Sequence, residues 1–165
     1  MSKVNLLRFP LLLSLSIWLG ALIFFPVVAQ TSFAALPSSH LAALVVRGSL
    51  LKLHWIGIGC GVVFLVSSLL YNRILLGRVR TLTLSHLLML LMLALTALSQ
   101  FRIIPRMESL RMAAGEINAL PPSDPIRVQF DSLHVWSTRV EGTVLVLGVI
   151  LLYHLLSRRF VSSRA

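Results

Sequence analysis

The sequence predicts an all-α integral membrane protein, a four-helix bundle with an extra amphipathic surface helix between spans 3 and 4. Three observations predict this class. The chain is 57% apolar and only 12% charged, its mean hydropathy is +0.90, and its charges leave four long gaps. Average soluble domains are about 45–50% apolar and about 25% charged. This composition therefore excludes a water-soluble globule, and we expect a single transmembrane domain over residues 1–165.

The four gaps between charged residues define the candidate spans. A helix needs roughly 20 apolar residues to cross a bilayer. Three gaps contain a stretch of this length, whereas 142–157 reaches it only when it is extended back through Glu141. That extension places a carboxylate in the outer part of the membrane. The predicted spans are about 9–30, 53–72, 81–101 and 140–157.

The first span also has features of a signal peptide. Lys3 and Arg8 precede its apolar stretch, and a candidate cleavage site ends at Ala29. The apolar region of a signal peptide is about 7–15 residues long, whereas this stretch is longer and contains Trp18 and Pro26. We therefore expect it to be retained as a span.

The net charge of +10 indicates membrane orientation. Four spans place both termini on one side, which carries eight of the fifteen basic residues and none of the acidic ones. The short loop with Arg73, Arg78 and Arg80 concentrates positive charge on that side. Since cytoplasmic loops are enriched in Lys and Arg, we expect cytoplasmic termini and a location in the plasma membrane.

The same charges argue against a nucleic-acid partner. The arginines are spread over loops on both membrane faces, and no basic patch is interleaved with aromatic residues. The expected partner is the lipid bilayer, and a homo-oligomer is left open. Cys60 is the only cysteine, so an intrachain disulfide and a cysteine-based zinc site are excluded.

The connection over about 105–135 has the pattern of an extramembrane helical segment. Pro105 suits the first turn of a helix, and apolar residues then recur three or four apart at Met107, Leu110, Ala114 and Ile117. Asp124 followed by Pro125 predicts the start of another helix that runs into the fourth span. Ser38, after Pro37, predicts a similar start for the second helix.

Helical wheels at about 100° per residue bring the polar residues of three spans onto inward faces. In the fourth helix His134 and Glu141 share one direction, whereas Arg139 points the opposite way. Ionisable residues inside a membrane usually face the bundle interior and mark functional sites. The predicted polar intramembrane cluster lies near the outer surface and consists of Arg47, His54, Gln100, His134, Ser137 and Glu141.

Three glycines are predicted to serve helix packing. Gly57 and Gly61 lie four residues apart on the second helix, and Gly148 lies on the inward face of the fourth. Small residues at this spacing let neighbouring helices approach closely. Residues 57–61 superficially resemble a nucleotide-binding loop, but they follow no strand and lie in a predicted span.

The last third of the chain resembles the transmembrane protein 205-like family, whose members are small four-span membrane proteins. The segment Phe-x-x-Leu-His-x-x-Ser at 130–137 carries most of the resemblance. The other matching positions are Phe101, Pro105, Arg106, Met107, Leu110, Arg111, Arg139 and Gly142, with Trp18, Gly20, Phe24 and Phe25 in the first span. This chain has Glu141 where many relatives are expected to have asparagine. The resemblance implies fold and membrane location and names no substrate.

Three classes of function are compatible with the predicted cluster. In the first, Glu141 and His134 form a protonatable site that is open to the outside and handles a small molecule or ion, with Arg47 as counter-ion. In the second, His54 and His134 act as axial ligands of haem or as ligands of a metal such as copper. In the third, the protein is a small membrane oxygenase.

Two considerations limit these classes. Glu141 could instead simply pair with Arg47 or His54 at the interface, without a functional role. No nucleophile with a matching base, and no zinc-protease, phosphate-loop or dinucleotide motif, occurs in the chain. No catalytic residue is therefore assigned, and the cofactor is unknown, with none as the simplest expectation.

Overall fold

The computed structural model describes residues 3–76 and 83–162, and within these ranges the chain is helical throughout apart from short connections. The helices are α1 Lys3–Ala35, α2 Ser39–Leu76, α3 Leu84–Leu98, α4 Ile104–Ala114 and α5 Pro125–Ser162, with a π-helical turn at Ser99–Ile103 and a 3₁₀ turn at Ile117–Ala119. The predicted all-α bundle is confirmed. Arg78 and Arg80, on which the expected orientation partly depends, lie outside the described residues.

Four helical stretches are long and apolar enough to cross a membrane, which fits a multi-pass membrane protein. They are Arg8–Ala35, Ser39–Ile74, Leu84–Ala114 and Pro125–Ser157. Antiparallel succession of the four places the connections 36–38 and 115–124 at one end of the bundle, which we call the distal end. The start of α1 and the end of α5 lie at the other end.

The helices begin where side chains can accept hydrogen bonds from unpaired backbone N–H groups. Ser38 Oγ accepts from Leu41 N at 3.2 Å, before α2. Asp124 Oδ1 accepts from Ile126 N at 2.8 Å, which confirms the predicted start of α5. Such caps satisfy donors that the first helical turn leaves without partners.

Helix α1 packs mainly against α2, and α3 packs against both α2 and α5. The core consists of large side chains from these four helices, among them Leu15, Trp18, Phe64, Met89, Met92, Val144 and Leu151. Many large apolar side chains on the other faces are exposed. An apolar exterior of this extent is suited to lipid rather than to water.

Glycines allow three close contacts in this core. A Cβ atom built on Gly57 would lie 2.5 Å from the ring of Trp18, and one on Gly61 would lie 2.5 Å from Leu93. A Cβ atom built on Gly148 would lie 2.5 Å from Leu19. A methyl group does not fit at any of these positions unless the neighbouring side chain moves.

The predicted surface helix differs from the observed one in its connection to the third span. α3, the π-helical turn and α4 form one continuous helical stretch, in which Ile104 N donates to Ser99 O. Leu110 is buried, as the apolar stripe predicts. Because α4 continues the axis of α3, it extends the bundle at the distal end, where its polar side chains meet α2.

Candidate functional site

A hydrogen-bonded cluster of three side chains joins three helical elements towards the distal end. His54 on α2 places Nδ1 2.9 Å from Gln100 Oε1, in the π-helical turn. It places Nε2 2.6 Å from Glu141 Oε1, on α5. The side chain of His54 is 1% exposed and that of Glu141 is 14% exposed. We call these three residues the histidine cluster.

The π-helical turn presents Gln100 to this cluster. A π-helical turn inserts an extra residue into a helix and is frequent at functional sites. Here Gln100 and Ser99 are buried, while Phe101 and Arg102 are exposed. A sequence-based wheel of constant pitch places Gln100 on the inward face but does not reveal the π-helical turn, since its residues have no distinctive pattern.

The orientation of the Gln100 amide depends on whether the His54–Glu141 pair holds an extra proton. With Oε1 of Gln100 facing the ring, His54 donates through Nδ1–H. The short contact to Glu141 then holds a further proton, either on Nε2 or on the carboxyl oxygen. If the amide turns over, Gln100 donates to Nδ1, the ring donates Nε2–H to Glu141, and the pair has released one proton.

A second polar group lies about two helical turns nearer the distal end. It consists of Arg47, Glu108 and Arg111, which we call the arginine pair with Glu108. Glu108 Oε2 lies 3.1 Å from Arg47 Nε and 3.6 Å from an Nη atom of Arg111. These three atoms are buried, yet none has a hydrogen bond of good geometry. One carboxylate therefore faces two guanidinium groups, which leaves a positive charge uncompensated within the group.

A cavity of about 130 Å³ lies at the arginine pair with Glu108, all three residues of which line it. Its lining is Phe33, Ala43, Val46, Arg47, Leu50, Ile104, Met107, Glu108, Arg111, Phe130, His134 and Ser137. Leu50, Ile104 and Ser137 each lie four residues from a member of the histidine cluster, on the distal side. Since four residues correspond to about one helical turn of 5.4 Å, these lining residues place the cavity about one turn from the histidine cluster, on its distal side.

The predicted cluster residues divide between these two levels. His54, Gln100 and Glu141 form the histidine cluster, and Ser137 is buried one turn away. Arg47 and His134 line the cavity, and His134 is exposed rather than buried. The structure thus brings the six residues to one region but not into one contact network.

Of the two partners considered for Glu141, Arg47 and His54, the structure shows His54. Glu141 pairs with His54, and Arg47 pairs with Glu108. The reason is the continuous helix through α4, which brings Glu108 to α2 at the level of Arg47. The protonatable partner of Glu141 is accordingly His54 rather than His134.

Sequence reasoning missed Glu108 and Arg111, which it placed off the apolar stripe of a surface helix. In the structure both are half-buried at the cavity, and the Arg111 guanidinium lies 5.7 Å from the centroid of the Phe130 ring. In the sequence, Glu108 and Arg111 cannot be distinguished from the charged residues of a solvent-exposed helix face. The positions of Arg111 and Phe130 within the family resemblance were the only signal.

The opposite face of α5 is directed outwards. Arg139 and Trp136 are exposed, with the guanidinium 5.6 Å from the ring centroid. Trp55 and Phe101, which adjoin His54 and Gln100 in sequence, form an exposed edge-to-face pair with centroids 6.2 Å apart. Aromatic residues concentrate at membrane–water interfaces, so these rings favour an interfacial depth for the histidine cluster.

The arrangement of the histidines does not favour the haem or metal alternative. Both ring nitrogens of His54 are occupied by Gln100 and Glu141, so neither is available as a ligand. Within residues 3–76 and 83–162, no group of three or more His, Cys, Asp and Glu side chains is arranged to hold a metal ion. The geometry is instead that of a buried, hydrogen-bonded His–Glu pair near a cavity lined by charged side chains.

Comparison with known protein families shows to which family the chain belongs. A domain of unknown function, DUF4149, matches residues 13–116, which is more than half of the sequence. The chain belongs to the DUF4149 family. No curated protein and no solved structure matches it.

The DUF4149 match covers most of α1 and all of α2, α3 and α4. It therefore includes His54, Gln100, Arg47 and Glu108, whereas Glu141 lies beyond its last residue. Two members of the histidine cluster and the arginine pair with Glu108 are thus within the DUF4149 region, and α5 adds the carboxylate that the ring of His54 contacts.

Proposed function

We propose that this DUF4149 protein handles a small molecule together with a proton at the distal end of its bundle. His54 and Glu141 form the proton site, and the cavity above them receives the molecule. The single observation that carries the proposal is the buried His54, whose two nitrogens contact Gln100 and Glu141 directly below the cavity. A structural ion pair requires neither the second hydrogen bond nor the adjoining cavity.

Charge supports a proton-linked role. When the pair holds its extra proton, the histidine cluster is neutral, and when it releases that proton, the cluster carries a negative charge. A buried net charge is costly unless an opposite charge lies nearby. The arginine pair with Glu108 supplies such a charge about two helical turns away, while the side chains of Lys52, Arg102 and Arg139 are exposed.

The wider setting of the proposal is a multi-pass protein of the plasma membrane whose termini are cytoplasmic. The concentration of arginines on the terminal side of the chain supports this orientation. The resemblance of residues 101–142 to the transmembrane protein 205-like family supports the four-span layout. With this orientation the cavity is open to the outside of the cell.

Infrared difference spectroscopy of the protein in lipid nanodiscs tests the proton site without a known substrate. Spectra recorded at a lower and a higher pH should show carboxyl and imidazole bands that disappear together in Glu141→Gln. The matched control is Glu116→Gln, which removes an exposed carboxylate and should leave those bands unchanged. Identical difference spectra for the wild type and Glu141→Gln would refute the proposal.

A further inference from the structure

We infer that the cavity binds a small apolar monocarboxylate, with its carboxylate between Arg47 and Arg111 and its apolar body against the remaining lining. The inference rests on the proposed function, because it names the class of molecule that the same cavity takes. Two properties of the cavity support the inference, namely the positive charge at one side and the small volume of the cavity, whose remaining lining is mainly apolar.

The arginine pair with Glu108 already shows that a carboxylate fits between the two guanidinium groups. Glu108 Oε2 lies 3.1 Å from Arg47 and 3.6 Å from Arg111, yet its contacts lack good hydrogen-bond geometry. Arginine binds carboxylates best through paired N–H donors in the plane of the guanidinium. A ligand carboxylate that enters from the cavity can satisfy the buried donors that Glu108 leaves without hydrogen bonds.

The rest of the cavity limits the ligand to a small apolar body. Its lining is mainly aliphatic and aromatic, with Phe33, Leu50, Met107 and Phe130 as the largest apolar side chains. A volume of about 130 Å³ is close to that of an engineered cavity of about 150 Å³ that binds benzene. Benzoate, a benzene-sized body with one carboxylate, is therefore the appropriate probe.

Binding of an anion and binding of a proton are coupled by charge. A negatively charged histidine cluster repels a carboxylate bound at Arg47 and Arg111, whereas the neutral cluster, which holds the extra proton, does not. The observed orientation of Gln100, with its oxygen towards the ring, is that of the neutral cluster. Protonation of the His54–Glu141 pair therefore strengthens anion binding, and thermodynamic linkage requires a bound anion to favour protonation in return.

Isothermal titration calorimetry of the full-length protein in nanodiscs tests this inference with benzoate as ligand. We expect binding that Arg47→Gln and Arg111→Gln each weaken by about tenfold or more, since a hydrogen bond to a charged group contributes about 1.5–3 kcal/mol. Glu108→Gln should strengthen binding, because it removes the competing carboxylate. Arg139→Gln, an exposed arginine on α5, is the matched control and should bind benzoate as the wild type does.

The Glu108→Gln variant keeps the test decisive if an arginine variant does not fold, because a gain of affinity requires a folded site. Binding of benzyl alcohol as tight as that of benzoate, or unchanged affinity in Glu108→Gln, would overturn the inference. Binding of inorganic phosphate in place of benzoate would overturn it as well, since it would indicate a general anion site.

Titration in buffers of different ionisation enthalpy measures the proton taken up on binding. At a pH at which the infrared bands show that the His54–Glu141 pair has released its proton, we expect uptake in the wild type and none in Glu141→Gln. If benzoate fails to bind while the infrared bands of the His54–Glu141 pair are present, the ligand class is wrong and the proton site stands. If the bands are missing, the proposed function itself fails.

Discussion

His54 cannot change its protonation state without a response from its neighbours, because Gln100 and Glu141 occupy both of its ring nitrogens. At the scale of single residues this separates the cluster from an ordinary surface ion pair. An exposed pair exchanges protein contacts for water at little cost, whereas His54 is almost completely buried. Loss of one partner leaves a buried polar atom without a hydrogen bond.

Glu141→Ala should therefore destabilise the protein much more than Arg139→Ala. Removal of Glu141 leaves His54 Nε2 unsatisfied, which should lower the free energy of unfolding by about 2–3 kcal/mol. Arg139 only covers the exposed Trp136 ring, a contact worth less than about 1 kcal/mol. Equilibrium unfolding in detergent, followed by circular dichroism, measures both. Equal losses in the two variants would contradict the inward orientation of Glu141.

At the residue scale, sequence reasoning could place His54, Gln100 and Glu141 near one another because a helical wheel puts each of them on an inward face at a similar depth. It could not identify which charges pair. Arg47 has two carboxylates within plausible reach, Glu108 and Glu141, and a helical wheel describes one helix without its neighbours.

At the scale of helices, close packing of α1 on α2 depends on the absence of a side chain at Gly57. The Trp18 ring lies where a Cβ atom on Gly57 would be, 2.5 Å away. Trp18 is itself 1% exposed and is among the largest buried side chains of the core. Because an indole ring is large and rigid, it cannot yield to a methyl group unless α1 moves.

Gly57→Ala should destabilise the bundle by about 1–3 kcal/mol, the usual cost of inserting a methyl group into a well-packed core. Gly59→Ala, two residues away on the same helix, is the matched control because nothing lies within 4 Å of its added Cβ. Alanine has the higher helix propensity, so Gly59→Ala should be neutral or slightly stabilising. Thermal unfolding of the purified variants measures the difference, and similar midpoints would show that α1 does not pack on α2 in this way.

Helix starts could be predicted from the sequence, whereas helix continuity could not. The starts at Ser38 and Asp124 depend on local hydrogen bonds, and local bonds are encoded by neighbouring residues. The continuous stretch from α3 into α4 instead depends on the π-helical turn, for which Ser99–Ile103 has no recognisable pattern. This turn decides where Glu108 and Arg111 lie relative to α2.

At the scale of the whole molecule, the structure has four helices long and apolar enough to cross a membrane, and four crossings would leave both termini on one side. The distal end then contains the cavity and the connection with exposed Ser123. The distribution of basic residues favours the cytoplasm for the termini, and hence the outside for the cavity.

Single-cysteine labelling in intact cells tests this orientation. Cys60 is the only cysteine, so Cys60→Ala provides a cysteine-free background. In that background Ser123→Cys should react with a membrane-impermeant maleimide added outside, whereas Ser2→Cys should react only after the membrane is permeabilised. The reverse result would place the termini outside, and labelling of both positions in intact cells would contradict an even number of spans.

The sequence by itself determined the class of the molecule, since composition and the spacing of charges dictate which segments can enter a lipid bilayer. It also indicated the inward position of His54 and Glu141, because helical periodicity is a local property, although it placed the exposed His134 on the same inward face. Only the tertiary structure decided that His54 binds Gln100 and Glu141, that Arg47 pairs with Glu108, and that Arg47 and Glu108 line a cavity. These are contacts between residues far apart in the chain, and they depend on helix register and on one π-helical turn that no local pattern encodes.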